Sequence, residues 1–134
     1  TIIQNIEFDL FGLKWNVLSL LIGLEVSFVF ETIQKTGVKN NESAWNYLRG
    51  LALEHPVIQA AVLVKLRTFL GEEEGCNSGN VYAIGLLADM LVAAGSPSTV
   101  REASGHFTLL STLDPIRAKF WLRRTSEAEA LLLK

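Results

Sequence analysis

"NNESAWNYLRG", residues 40–50, is the stretch that best indicates how this chain folds. Asn41 is suited to cap a helix, because its side-chain oxygen can accept a hydrogen bond from a free backbone N–H of the first turn. Glu42 then adds negative charge at the positive end of the helix dipole. Trp45 follows early in the helix, and we predict that its ring lies in the core between two helices. The alternative is that Trp45 and Arg49 anchor an interface, since Trp and Arg are enriched at interface centres.

The composition is that of an ordinary globular domain. Of the 134 residues, 49% are hydrophobic and 19% are charged, which gives enough apolar side chains for one core and too few charges for a disordered chain. A net charge of −2 gives no electrostatic sign of a nucleic-acid partner. The lone cysteine excludes an internal disulfide framework and is typical of a reducing compartment, so we expect a cytoplasmic protein.

The first helical region is predicted from Leu13 to Lys35, with Gly37 as its stop signal. It contains the apolar run "WNVLSLLIGLEVSFVF", residues 15–30, which Glu25 interrupts. This run is shorter than the roughly 20 apolar residues that a membrane-spanning helix needs. We therefore expect a helix buried by protein neighbours and no membrane contact. A membrane-tethered fragment is the alternative.

Breaks in the apolar pattern predict two helices with a loop between them in residues 57–94. Pro56 closes the helix that Asn41 opens, and it can itself open the next one. Residues 57–70 are apolar nearly all round, which predicts a helix enclosed by neighbours. "GEEEGCNSGN", residues 71–80, is typical of an acidic loop, and residues 81–94 form a fourth predicted helix.

Two more helices are predicted in the last third of the chain. Thr99 and Glu102 have the spacing of a capping box. After them, apolar residues recur at helical spacing: Val100, Ala103, Phe107, Leu110 and Leu113. Asp114 and Pro115 are a cap and a first helical residue for the last helix, which we expect to end within "TSEAEALLLK", residues 125–134.

About six helices with short connections are typical of antiparallel helical hairpins, so we predict an all-α fold. Two of the predicted helix starts carry an early Trp, Trp45 and Trp121, with arginine close behind. This pattern indicates a degenerate repeat of helical pairs, each burying the face of its neighbour.

No catalytic or metal site is predicted from the sequence. His55 and His106 have no partner at metal-ligand spacing, and no glycine-rich phosphate loop is present. We interpret His55 as a helix-end residue facing free carbonyls and His106 as a half-buried packing residue. Cys76 lies beside three glutamates, whose charge disfavours the thiolate and makes it a poor nucleophile.

The stretch "NNESAWNYLRGL" resembles the repeat motif of the protein prenyltransferase α subunits, and most closely the α subunit shared by protein farnesyltransferase and type I geranylgeranyltransferase. In that family an Asn-Glu-Ser-Ala-Trp run followed by Tyr-Leu-Lys/Arg-Gly opens the second helix of a repeat. The matching residues are Asn41, Glu42, Ser43, Ala44, Trp45, Tyr47, Leu48 and Gly50. The segment "LDPIRAKFWLRR", residues 113–124, is similar to the family's closing segment in its plant-type form, and it includes Trp121.

The resemblance implies a right-handed α-α solenoid that wraps a separate β subunit. It implies that Asn41, Ser43, Trp45, Tyr47 and Trp121 are structural repeat residues. It also makes three residues candidates for the subunit interface: Asn46, Arg49 and Arg117. No catalytic residue carries over, because the family's α-subunit residues that reach the isoprenoid diphosphate lie on earlier repeats. Zinc, with magnesium as an optional second metal, is implied in the holoenzyme through the β subunit and not in this chain.

The resemblance covers roughly residues 25–125, the C-terminal third of a family α subunit. Residues 25–134 are therefore interpreted as C-terminal repeats and residues 1–24 as an atypical apolar segment, divergent or mispredicted. The implied function is that of an α-subunit fragment, inactive alone, that serves a holoenzyme attaching farnesyl or geranylgeranyl to C-terminal cysteines of acceptor proteins. Two alternatives are a free-standing helical-repeat interaction module and the α subunit of Rab geranylgeranyltransferase.

Overall fold

A computed structural model describes residues 7–10, 13–35, 40–71 and 79–134. These residues form a short β-hairpin and six α-helices, which confirms the predicted all-α class and helix number. The chain divides into two compact units, Thr1–Lys65 and Leu66–Lys134. In chain order the elements are β1 (Glu7–Leu10), β2 (Leu13–Asn16), α1 (Val17–Lys35), α2 (Glu42–Glu54), α3 (Pro56–Leu70), α4 (Val81–Ala94), α5 (Pro97–Leu113) and α6 (Ala118–Leu132).

The first predicted helix begins four residues later than expected. Residues 13–16 form β2, which pairs antiparallel with β1 so that Phe8 lies opposite Trp15. The helix begins only at Val17. Each strand has four residues, too few for the two-residue alternation by which strands are recognised in sequence.

Helix α1 is apolar on two opposite faces, and only one of them is buried. The buried face carries Val26, Val29, Phe30 and Ile33. On the other side Leu24 and Phe28 are 60% and 63% exposed, and Leu20 and Leu21 are also exposed. The expectation that neighbours would enclose the run 15–30 is therefore wrong for this second face.

The junction of α2 and α3 follows the local signals in the sequence. Asn41 caps α2, and Pro56 opens α3 one residue after the end of α2, as predicted. His55 occupies the C-cap position, as expected of a helix-end histidine. One of the α2 end carbonyls, that of Ala52, accepts a hydrogen bond from Gln59 Nε2 at 3.2 Å.

Helix α3 is less enclosed than its composition indicated. Ile58, Val62, Leu66 and Phe69 are fully buried and lie three or four residues apart, on one face. Val64, however, is 64% exposed. Among the described residues, one face of this apolar helix is therefore buried, while Val64 on another face is exposed.

The second unit consists of the end of α3 and helices α4 to α6, with α5 packed against both α4 and α6. Helix α4 has the predicted bounds, begins at the N-cap Asn80, and ends at Gly95. Gly95 adopts φ 77°, the left-handed conformation that glycine accepts without strain. Helix α4 is the most buried helix of this unit, with seven buried apolar residues: Ala83, Ile84, Leu86, Leu87, Ala88, Met90 and Leu91.

The start of α5 differs from the predicted capping box. Ser96 is the N-cap, its Oγ accepting a hydrogen bond from the Thr99 backbone N–H at 3.2 Å, and Pro97 is the first helical residue. Thr99 therefore lies inside the first turn, where it cannot act as the cap. Glu102 is left to form contacts elsewhere.

Helices α5 and α6 form a hairpin through Asp114 and a 3₁₀ turn, Pro115–Arg117. Four of the five predicted core residues of α5 are buried, whereas Leu113 is exposed. Helix α6 ends at Leu132, within the predicted range 125–134, and Thr125 and Ala128 lie on its buried face. The predicted stop at Gly37 and most of the acidic loop, residues 72–78 with Cys76, lie outside the described residues.

Candidate functional site

The start of α2 is built by the residues of the quoted motif. Asn41 Oδ1 accepts hydrogen bonds from the backbone N–H groups of Ser43 at 2.9 Å and Ala44 at 3.4 Å, as the sequence predicted. Trp45 is 2% exposed, and its ring meets that of Phe30 in α1 edge to face, with centroids 6.1 Å apart. Asn41 and Trp45 therefore fix the start of α2 and its packing on α1.

The opposite side of α2 is exposed, and we name it the outer face: Ser43, Asn46, Tyr47, Gly50 and Glu54. The last four of these residues, with Leu51, line a shallow open groove. Tyr47 is half exposed, and its hydroxyl donates a 2.9 Å hydrogen bond to Glu25 Oε1 of α1. That hydrogen bond to a carboxylate, with smaller effects of burial and of the Glu25 charge, raises the pKa of Tyr47.

The three predicted interface residues lie in different surroundings. Asn46 is exposed on the outer face. Arg49 is half-buried on the flank of α2 and has an intramolecular contact. Arg117 lies in the second unit, where its Nε is 3.1 Å from Asp114 Oδ2 in a half-exposed ion pair. Their contact with a partner subunit stays a prediction.

Trp121 organises the hairpin of α5 and α6. It is 7% exposed and stacks on Phe107 of α5, with ring centroids 6.2 Å apart and an interplanar angle of 19°. Its indole Nε1–H donates to Asp114 Oδ2 at 2.9 Å. Asp114 makes no side-chain cap hydrogen bond to the 3₁₀ turn, contrary to the predicted cap. Its carboxylate instead binds two side chains farther along the chain, those of Arg117 and Trp121.

Arg124 also stabilises this hairpin, although the sequence indicated only that it follows Trp121 closely. Its guanidinium lies over the Phe107 ring, 4.8 Å from the centroid. It pairs with Asp89 of α4 at 2.6 Å and with Glu127 at 2.9 Å. The Asp89 partner lies 35 residues away, so no local spacing could have identified it.

A second ionic cluster joins the end of α3 to α5. Arg67 donates two hydrogen bonds to Glu102, at 2.7 and 2.9 Å, and His106 Nε2 lies 3.1 Å from the same carboxylate. The Arg67 hydrogen bonds are the main cause that lowers the pKa of Glu102 from 4.5 to about 2. The hydrogen bond from His106 and the charges of Arg67 and His106 act in the same direction, whereas burial opposes them. His106 is thus half-buried as predicted, and Glu102 is an ion-pair residue, not part of a capping box.

Among the described residues, no group of three or more His, Cys, Asp or Glu side chains converges as a metal site. His55 and His106 lie in different units, and each has the helix-end or packing position described above. Within the same part of the chain, no helix is both long and apolar enough to cross a membrane.

Comparison with known proteins gives no relative to argue from. Neither the protein-family models, nor the curated proteins, nor the solved structures contain a match to this chain. A function for the chain therefore rests on its own residues and contacts. Two exposed surfaces of the first unit are the outer face of α2 and the second apolar face of α1.

Proposed function

We propose that this chain is part of the α subunit of a heterodimeric protein prenyltransferase, where it acts as a helical scaffold and as a contact for the β subunit. One observation carries the proposal: the motif residues of α2 divide into two sets. Asn41 and Trp45 cap the helix and fill the core, whereas Asn46 and Gly50 lie on the exposed outer face. A scaffold that binds another subunit needs both sets.

The scaffold role is supported by the way the helices pack in sequence order. In the second unit α5 lies against α4 and α6, and in the first unit α1 lies against α2. Successive helices that bury one another's faces are the building principle of α-α solenoids. We extend this to a right-handed solenoid of hairpins as the proposed arrangement of the whole α subunit.

The chemistry of the proposed enzyme would belong to its other parts. The holoenzyme would transfer a farnesyl or geranylgeranyl group to a cysteine near the C-terminus of an acceptor protein. Zinc, with magnesium as an optional second metal, would be held through the β subunit and would stabilise the attacking thiolate. This chain would bind no cofactor, would be inactive alone, and would work in the cytoplasm with the holoenzyme.

Co-expression with tagged β subunits tests the proposal. The baits are the β subunits of protein farnesyltransferase, type I geranylgeranyltransferase and Rab geranylgeranyltransferase, each expressed together with the full 134-residue chain. We expect the chain to co-purify with the first two baits in a one-to-one complex and not with the third. Capture by the Rab enzyme's bait alone would reassign the chain to that α subunit, and capture by none would contradict the proposal.

A second candidate function is a helical interaction module without enzymatic activity. It is favoured by the exposed apolar face of α1: Leu20, Leu21, Leu24 and Phe28. Contiguous apolar surface of this kind often marks a protein interaction site. A folded chain, shown by helical circular dichroism, that binds none of the three β subunits would favour this module over the prenyltransferase scaffold.

A further inference from the structure

Gly50 has no structural reason within the described chain to be glycine. It lies in the interior of α2, where glycine lowers helix stability relative to alanine. A Cβ at this position would have no described heavy atom within 4 Å, if its two chain neighbours and the nearby backbone of α2 are left out. Its backbone is not in the left-handed region, where only Gly95 is found among the described glycines. Among the described residues, therefore, neither close packing nor a special backbone conformation requires a glycine at this position.

The surroundings of Gly50 form a notch with defined chemistry. Tyr47 lies one turn before it and Glu54 one turn after it, and both line the groove of the outer face. The Tyr47 ring is held by its hydrogen bond to Glu25, so one wall of the notch is fixed. The carboxylate of Glu54 is exposed and makes no hydrogen bond or ion pair with any described residue.

We propose that Gly50 is the point at which a helix of the partner subunit crosses α2, with a lysine or arginine of that helix at Glu54. The inference rests on the proposed function for the identity of that partner as the β subunit. The missing side chain lets two helix axes approach closely, since interaxial distance depends on the side chains at the contact. Glu25 and Glu54 give the notch a negative border, which selects a basic partner by charge complementarity.

The test compares how tightly the β subunit binds the wild-type chain and full-length variants in which the notch is filled or its charge is reversed. Gly50→Leu fills it, and Gly105→Leu is the matched control. Gly105 also lies inside a helix, α5, with no atom within 4 Å of its built Cβ. Both substitutions replace a helix-interior glycine by a better helix former, so neither lowers the melting temperature of the chain.

A charge reversal gives a second, independent arm. Glu54→Lys places a positive charge where the partner's basic side chain is expected, and Glu129→Lys is the control at an exposed position of α6. We expect Gly50→Leu and Glu54→Lys each to weaken binding of the co-expressed β subunit at least tenfold. Both controls should stay within twofold of the wild-type chain.

The outcomes separate this inference from the function on which it rests. If the wild-type chain binds no β subunit, the proposed function is overturned and the inference falls with it. If the wild-type chain binds and Gly50→Leu binds equally well, the proposed function stands and the crossing at Gly50 is refuted. Equal weakening by Gly50→Leu and Gly105→Leu would likewise refute it, because the effect would not depend on the notch.

Discussion

Trp45 and Trp121 both lie early in a helix, and each packs on a phenylalanine of the preceding helix. In the first unit Trp45 meets Phe30 edge to face, and in the second unit Trp121 stacks on Phe107. The second tryptophan also donates its indole N–H to Asp114. The two units thus use the same aromatic pair, but the second couples it to a polar partner from the helix junction.

The units differ more in what lies around each pair. Around Trp121, ion pairs of Arg117 and Arg124 join the hairpin to itself and to α4. Around Trp45, the outer face of α2 keeps Asn46, Gly50 and Glu54 exposed. Charged residues near Trp121 thus form ion pairs within the chain, whereas the surface behind Trp45 is exposed and is where we propose that a partner binds.

Removal of the Trp45 ring should have the largest effect on the comparison. Trp45→Ala deletes a fully buried aromatic side chain and should lower the free energy of unfolding by about 3–5 kcal/mol. Urea denaturation followed by far-UV circular dichroism measures this loss. Trp45→Phe, which keeps an aromatic ring against Phe30, should cost clearly less. A loss below about 1 kcal/mol in Trp45→Ala, as expected of a surface site, would show that the ring is not part of the core.

Loss of the Asp114 carboxylate should have the next largest effect. Asp114→Ala leaves the Trp121 indole N–H and Arg117 without their acceptor, and should cost about 1–3 kcal/mol of unfolding free energy. Its control is Glu127→Ala, which breaks a half-exposed pair with Arg124 and should cost about 0–1 kcal/mol. Equal losses in the two variants would mean that the junction of α5 and α6 has no special polar support.

The helix cap at Asn41 should contribute less again. Asn41→Ala removes the acceptor for two backbone N–H groups and should cost about 1 kcal/mol in thermal or urea unfolding. Asn41→Asp keeps an acceptor and should stay near the wild type. Ser43→Ala, two residues later and exposed, serves as the control. A loss of stability in Ser43→Ala as large as that in Asn41→Ala would argue against the cap.

The Glu102 cluster predicts a small dependence of stability on pH. Because the pKa of Glu102 is lowered from 4.5 to about 2 in the folded chain, its contribution is complete above pH 4.5 and is lost as the pH falls to 2. Glu102 is 37% exposed, so solvent screening reduces the effect to about 1 kcal/mol or less. Unfolding free energies of the wild type and Glu102→Gln, measured across this range, should converge at low pH. Parallel curves would contradict the ion pair.

The sequence predicts those parts of the fold that depend on neighbouring residues. Asn41 and Pro56 set the bounds of α2 and α3 through local hydrogen bonding and backbone geometry, and both were predictable. The predicted capping box of Thr99 and Glu102 was wrong, because Ser96 and Pro97 start α5 three residues earlier, also through local contacts. Glu102 is then taken by Arg67, 35 residues away, and no pattern within a few residues contains that contact.

The errors in the first unit have a similar physical origin. Strand β2 depends on pairing with β1, and four residues carry too little alternation to indicate it. The apolar run of α1 was expected to be buried by protein neighbours, but one of its faces is exposed, because hydrophobic composition does not determine how many neighbours a helix has. The exposed side of α2 could be predicted from helical periodicity around Trp45. The notch at Gly50 required the structure, since only the built geometry shows that its space is open.

We propose that the chain binds a β subunit through the outer face of α2, while the second unit is held together by its own contacts. Hydrogen–deuterium exchange of the full chain, alone and in complex with the β subunit of protein farnesyltransferase, tests it most directly. We expect complex formation to slow exchange across α2, Glu42–Glu54, and to change exchange little in the hairpin of α5 and α6. Unchanged exchange in α2 within a formed complex would contradict it.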